Sequence, residues 1–374
     1  YLANQGFLPG YNFPSMPMTA WIPAPGGLDD EATILSRARF LGISEFGPGN
    51  LIYHRGRIYR IRRVKISTGQ NGGTAGAQLA TITAAVCPNC GYAHVFDGKS
   101  VVNQCQNCGQ ELKQENVLDG LYQISMVETE ETERISVEDE NRQNQGFEMQ
   151  TLYRFAELPG GAVVRSMTAV KRGEGALAHL TYAPSATLWR VNLGWKSRKN
   201  QKTKGFVIDP LTGYWDNSSP DSLDEPKDAE ERFESKQSLK QQVIPYVKDV
   251  RNLLILHPEI ESDEDMTVVM STLQAAFKRA IEQHYQIEAS EIFVEPLPSR
   301  EDRRSLLIYE SGEGGSGILH DLGTNKEALK AVADLALRIM HYVKPEGVEW
   351  CYEDVDQYDR KADCVSGCYE CLLT

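Results

Sequence analysis

Apolar positions along this chain follow two rhythms. Between Leu51 and Ile208 they come in short runs, alternating with polar residues or rich in β-branched and aromatic ones, the pattern of strands with one or both faces covered. Leu51 to Ile66 predicts a hairpin turning at Arg55-Gly56. QLATITAAV, LYQISMV, TLYRFAEL, AVVRSMTAV, ALAHLTYA, TLWRVNLGW and KGFVID predict further strands, broken by glycine, proline or charge. From Gln241 the rhythm changes. Val243 to Leu256 predicts a strand. Met266 to Tyr285 repeats Val269, Leu273, Phe277, Ala280 and Ile281 at helical spacing. EIFVEPLP and RSLLIYES predict two more strands, and Asn325 to Val343 a second helix that Asn325 can cap. Upstream of Leu51 the chain is rich in proline and glycine, with one short helix expected near Asp29 to Phe40. Residues 209 to 237, with Pro210, Pro220, Pro226 and many acids, predict a linker.

The cysteines add chemistry. All eight fall into two groups of four: Cys87, Cys90, Cys105 and Cys108, spaced C-x2-C-x14-C-x2-C, and Cys351, Cys364, Cys368 and Cys371, spaced C-x12-C-x3-C-x2-C. A Cys-x-x-Cys turn points two thiolates at one tetrahedral metal, and two such pairs close a structural zinc site. Two structural zinc ions are expected. Disulfides, free thiols and an iron–sulfur cluster are the alternatives; close pairs in a long, otherwise cysteine-poor chain suit a reducing compartment better than disulfides do. In a zinc ribbon around the first group, Tyr92 to Phe96 and Val101 to Gln104 would be the strands. His94 lies within that loop and is expected beside the site rather than on the metal.

Charge narrows the partners. The chain has 374 residues and a net charge of −13, so it is no general nucleic-acid binder. Acid concentrates at Glu128 to Glu140 and Asp221 to Glu234. Base concentrates at Arg57, Arg60, Arg62, Arg63 and Lys65, which share a strand with Tyr59. It concentrates again at Lys196, Arg198, Lys199, Lys202 and Lys204, a loop flanked by Trp189, Trp195 and Phe206. Cations beside aromatics suit a phosphate backbone and stacked bases; a charge run is usually a solvated face, but against this acidic chain the two readings stand even. No apolar run approaches the roughly 18 residues of a membrane span, and no secretion signal opens the chain, so a cytoplasmic protein without membrane contact is expected. The opening YLANQGFLPGYNFP lacks an initiator methionine and reads as a piece of a longer polypeptide.

Other motifs carry less. Gly312, Gly314, Gly315 and Gly317 follow the strand SLLIYE. They lack the lysine and Ser/Thr of a phosphate loop, so a tight turn needing positive φ is the favoured reading. No nucleotide-hydrolysis set is present. The seven histidines are scattered, and of these His320, after the glycine turn, is the one worth testing.

Together these pieces resemble a known family. IYESGEGGSGILHDL, a following helix, Cys351 and the terminal CVSGCYECLL resemble the zinc-binding domain that ends Mrf-type (MZB) superfamily-2 DNA helicases; Glu310 stands where that family more usually has aspartate. FLPGYNFP and SRARFLGISEFGPGNLIYHRGRIYRI, with the turn Glu45, Pro48 and Gly49, resemble the connector after the second motor domain of such enzymes. DISARM- and Druantia-type antiphage helicases share the layout. The resemblance covers residues 7–66 and roughly 241–371, and with the residue patterns between them it gives an α+β multi-domain chain: a connector and hairpin over residues 1–66, a zinc ribbon over 67–113 and a β-rich module over 114–208. A linker over 209–240 and an α/β zinc-binding domain over 241–374 would follow. It implies the DNA-contacting, partner-docking accessory region of an ATP-dependent helicase in antiphage defence or repair. ATP and magnesium would act only through motor domains absent from this chain. DNA, those motor domains and another defence subunit are the implied partners. The competing expectations are a non-enzymatic zinc scaffold that recruits a separate helicase, and a metal-dependent nuclease built on Glu310 and His320.

Overall fold

The computed structural model describes residues 16–24, 31–66, 79–96, 103–132, 146–158, 161–170, 175–216, 240–260, 265–312, 315–345, 347–348, 350, 352–364 and 367–372. Among them the fold is mixed α+β and rich in strands. β1 (Met18–Ile22), β2 (Thr33–Arg37), β3 (Leu51–His54), β4 (Arg57–Val64) and β8 (Met126–Glu131) form a five-stranded sheet in the order β2-β1-β8-β4-β3. The Leu51–Ile66 hairpin is present, its turn placing Arg55 and Gly56 at positive φ. Of the short helix expected near Asp29 to Phe40, Asp29 and Asp30 lie outside the described residues, and the described part is mostly a strand. Thr33–Arg37 pairs antiparallel with β1, and α1 runs from Arg39 to Glu45. A strand partner decides this segment against its local helical rhythm.

A larger sheet of ten strands organises the rest. Its axis is β15 (Gln241–Pro258). β13 (Ala176–Trp195) runs antiparallel along it from Ala178 opposite Pro258 to Val191 opposite Tyr246. Two strands expected at 176–183 and 187–195 are thus one. A bulge at Pro184 and Ser185, the latter at φ 54, separates them in sequence without breaking the strand. β15 also pairs with β14 (Phe206–Ile208), β7 (Val117–Gln123) and β17 (Arg303–Glu310) at successive positions. β16 (Ile292–Pro298) pairs with β17, β12 (Arg165–Val170) and β9 (Phe147–Arg154) with β13, and β5 (Ile82–Val86) with β6 (Ala93–Phe96) and β7. β10 (Glu157–Leu158) and β11 (Gly161–Ala162) make a separate small hairpin.

β17 shows why this sheet is buried on both faces. Ser305 to Glu310 is buried without alternation, as expected of a strand covered on both sides. Leu306 and Ile308, with Leu254, Leu256 and Val294, join one core with α2 (Met266–Tyr285), α3 (Ile318–Thr324) and α4 (Lys326–Ile339). Leu307 and Tyr309, with Leu253 and Leu297, join another core that contains Tyr92, Cys87 and Cys105 of the first cysteine group. Helices thus cover one face of the sheet and the ribbon packs against the other.

Candidate functional site

Two copies of one local device build the first metal centre. Both knuckles read Cys-x-x-Cys-Gly, and in each the glycine N–H donates to the carbonyl of the leading cysteine: Gly91 to Cys87 at 2.9 Å and Gly109 to Cys105 at 2.8 Å. The glycines stand at φ 74 and 75, a conformation open to glycine at little cost. The first knuckle leaves the end of β5. The second is closed by Cys105 N–H to the Gln110 carbonyl at 2.7 Å. Four sulfurs converge, with Cys87 Sγ 3.5 Å from Cys108 Sγ and Cys90 Sγ 3.7 Å from Cys105 Sγ. Every pair of donor atoms lies within 4.8 Å. Tetrahedral thiolates about 2.3 Å from zinc would stand roughly 3.7 Å apart, so the donor set fits zinc. The hydrogen bond between their sulfurs holds the Cys105 thiol down and pushes Cys90 up, while burial raises Cys87. Four crowded thiols cannot all ionise without a cation. Outside the donors, Tyr153 donates its hydroxyl to the Cys90 carbonyl at 3.0 Å, and Asn107 donates to Cys90 Sγ at 3.5 Å. His94 is buried, and its ring lies 5.2 Å from that of Tyr92.

The second centre gathers three of its four expected ligands. Cys364, Cys368 and Cys371 come together, and the fourth donor among the described residues is His341. Cys351 lies outside the described residues. His341 follows α4 at φ 73, an uncommon conformation for a residue with a side chain. The backbone beyond it explains its placement: the Arg360 N–H donates to the His341 carbonyl at 3.0 Å, and Val343 N–H to the Tyr358 carbonyl at 2.8 Å. This short antiparallel pairing brings the end of α4 to the cysteine run. His341 Nε2 then lies 3.3 Å from Cys368 Sγ, and Cys364 Sγ lies 3.6 Å from Cys371 Sγ. Lys361 Nζ donates to Cys368 Sγ at 3.5 Å and to Glu370 at 2.8 Å. Three thiolates and an imidazole are also a zinc donor set. No motif in the sequence flagged His341, because the fold rather than close spacing joins it to the cysteines.

Of the glycine turn, Gly314 lies outside the described residues. Gly315 and Gly317 take φ 73 and 85, the latter just before α3. Glu310, buried, accepts from Ser316 Oγ at 2.9 Å and from Asn252 Nδ2 at 3.4 Å, and a side chain at Gly315 would run into both Asn252 and Glu310. Beneath it Arg251 donates to the carbonyls of Glu310 and Ser311, pairs with Asp249 at 2.7 Å and stacks on Phe40. Burial, with the Glu310 carboxylate nearby, pushes the Tyr182 hydroxyl up to about 12. His320 lies edge-on to Tyr182, with Nε2 2.8 Å from Arg165. Glu310 and His320 belong to neither of the two metal-type clusters found among the described residues.

The basic residues separate into two kinds. On β4, Arg57, Arg62 and Arg63 face Glu131, Glu130 and Glu128 of β8 at 2.8, 3.0 and 2.6 Å. Arg60 shares the strand, and Lys65 is exposed just beyond it. In the second group Arg198 is engaged by Glu148 and the Trp195 carbonyl, and Lys204 is half-buried. Lys196, Lys199 and Lys202 are exposed and make no ion pair among the described residues. Trp189 and Phe206 point inward, and Trp195 packs on Phe147 at 4.0 Å. These aromatics anchor the loop to the core instead of offering faces to bases.

Residues 273–372 match the family of the MrfA Zn-binding domain, MZB. This segment is an MZB domain. The MZB domain therefore takes in most of α2, the β16–β17 hairpin, the glycine turn and the second metal centre, including His341. Among solved structures the chain resembles the DUF1998 helicase MrfA bound to DNA, at 10% identity and a TM-score of 0.37, over 96% of this chain and 32% of that one. It also resembles MrfA in a structure described without DNA, at 7% identity and a TM-score of 0.36, over 92% and 33%. The chain thus spans about a third of the MrfA chains' length. No curated protein matches it. Among the described residues no helix is long and apolar enough to cross a membrane.

Proposed function

We propose that this chain is the zinc-stapled, DNA-contacting accessory region of an ATP-dependent superfamily-2 DNA helicase or translocase, serving antiphage defence or DNA repair. The observation that carries the reading is the MZB domain at residues 273–372. One zinc ion sits on Cys87, Cys90, Cys105 and Cys108, and a second on His341, Cys364, Cys368 and Cys371. Both are structural: zinc supplies a cation that satisfies crowded thiolates and ties chain segments together. This chain's own residues do the rest. The ribbon covers one face of the large sheet, the MZB helices cover the other, and Lys196, Lys199 and Lys202 present charge to a phosphate backbone. ATP and magnesium belong to motor domains covalently upstream.

The upstream coding sequence tests this reading. A Walker-type phosphate loop in the same polypeptide, with DNA-dependent ATP hydrolysis by the whole protein, is the expected result. An initiator methionine directly before Tyr1 would overturn it. Elemental analysis of the undenatured chain should find about two zinc ions per chain.

A further inference from the structure

A cleft of about 260 Å³ opens where the ribbon, the large sheet and the β16–β17 turn meet. Val86, Pro88, Leu118 and Pro298 make its apolar wall, Asn116, Gln150 and Ser299 supply amides and a hydroxyl, and Lys204 is part of the lining. Its walls are held together: a Cβ at Gly91 would stand 2.8 Å from Leu297 Cδ2, and Arg304 of β17 donates to Asn89 of the knuckle at 2.6 Å. The charges inside are unequal. Asp302 is tied to Arg304 at 2.8 Å, and Glu115 is exposed. Lys204 makes no ion pair among the described residues; the nearby Glu148 is already taken by Arg198. Burial pushes the Lys204 ammonium down from its usual range, so this cation is under-solvated as well as unpaired.

We propose that this cleft takes one unstacked nucleotide of a single DNA strand, its phosphate on Lys204 and its base against the wall of Val86, Pro88, Leu118 and Pro298. A bare anion would leave that wall wet, and a purely apolar ligand would leave Lys204 without a counter-charge. The volume lies just below the roughly 300 Å³ at which drug-sized pockets begin. It admits a base with its phosphate and excludes a duplex. The Gln150 and Asn116 amides each offer a donor and an acceptor to a base edge. Lys204 also closes the loop that carries Lys196, Lys199 and Lys202, so a strand tracking those lysines is led to the cleft. The proposal rests on the DNA-contacting reading and adds a defined seat for one base.

Binding of the full chain to a short single-stranded oligonucleotide, followed by fluorescence anisotropy across a salt series, tests it. The wild type should bind. Lys204→Gln should weaken binding about ten-fold and reduce the salt slope by roughly 0.7, with zinc content unchanged; Lys204→Arg should retain most of the affinity. An oligonucleotide carrying 5-iododeoxyuridine should photo-crosslink to peptides containing Pro88 or Ser299. The cleft is refuted if the wild type binds and Lys204→Gln matches it in affinity and slope, or if crosslinks map only to other surfaces. A wild-type chain that binds no DNA at all removes the DNA-contacting reading and the cleft with it.

Discussion

At the scale of single residues, two positions carry consequences that their neighbours do not. His341 is the only nitrogen donor in the two metal clusters of the described residues, and it holds an uncommon backbone conformation to be one. Replacing it with alanine leaves three thiolates around the ion. Zinc content should then fall from about two ions per chain to about one, while His341→Cys, which restores a fourth donor, should return it to about two. Cys351→Ser should leave about two. Elemental analysis of the three variants decides between His341 and Cys351 as the fourth ligand. Gly315 is the second position. Its positive φ and its closeness to Asn252 and Glu310 mean that Gly315→Ala meets backbone strain and a clash with two buried polar groups at once. The expected cost is about 3 kcal/mol, seen as a lower melting temperature, whereas Gly56→Ala, with positive φ but nothing within 4 Å, should cost only the strain.

At the scale of elements, a buried charge pair on β15 holds the end of β17 through Arg251. Asp249 and Arg251 expose only 5% and 6% of their side chains, and Arg251 also holds the carbonyls that end β17. Asp249→Ala leaves a buried guanidinium without its counter-charge and should cost about 3–5 kcal/mol. Glu131→Ala, which removes an exposed partner of Arg57, should cost less than about 1 kcal/mol; urea titration of both variants checks the contrast. The elements also show what the sequence carried. The periodicity of Met266 to Tyr285 coincides with α2, because a strong apolar stripe and the Asp265 cap, whose carboxylate accepts from Thr267 N–H at 2.8 Å, agree. Asn325 caps α4 in the same way at 3.1 Å. α3 was hidden, since glycine-rich sequence precedes it and Gly323 sits inside it; that glycine lets the helix approach Tyr182, whose Cβ would be 2.8 Å from an added methyl. α1 was displaced because pairing with β1, a long-range contact, outweighs local propensity. The Cys-x-x-Cys-Gly knuckles were legible because everything they need is local. His341 was not, because its place depends on the antiparallel pairing with residues 358–360.

At the scale of the whole molecule, the proposed DNA-contacting role requires an acidic chain to meet an acidic polymer. The fold answers by cancelling one basic cluster and leaving part of another free. Arg57, Arg62 and Arg63 spend their charge on Glu131, Glu130 and Glu128 across β4 and β8, so removing them should alter the five-stranded sheet more than any DNA contact. Lys196, Lys199 and Lys202 have no such partners among the described residues, and the loop beneath them is braced by Arg198, Glu148 and the inward-facing Trp195. A braced loop offers fixed charges, which lose little conformational freedom on meeting phosphate. Each phosphate contact to a single strand adds about 0.7 to the slope of log affinity against log salt. The triple replacement Lys196→Ala, Lys199→Ala and Lys202→Ala should therefore lower that slope by roughly 2 and weaken binding most at low salt, while Arg57→Ala leaves the slope unchanged. Anisotropy titrations across a salt series measure both. If the triple variant keeps the wild-type slope, these lysines are a solvated face and make no phosphate contact; if Arg57→Ala lowers the slope as much, the glutamates of β8 do not neutralise β4 and the division between the two clusters fails.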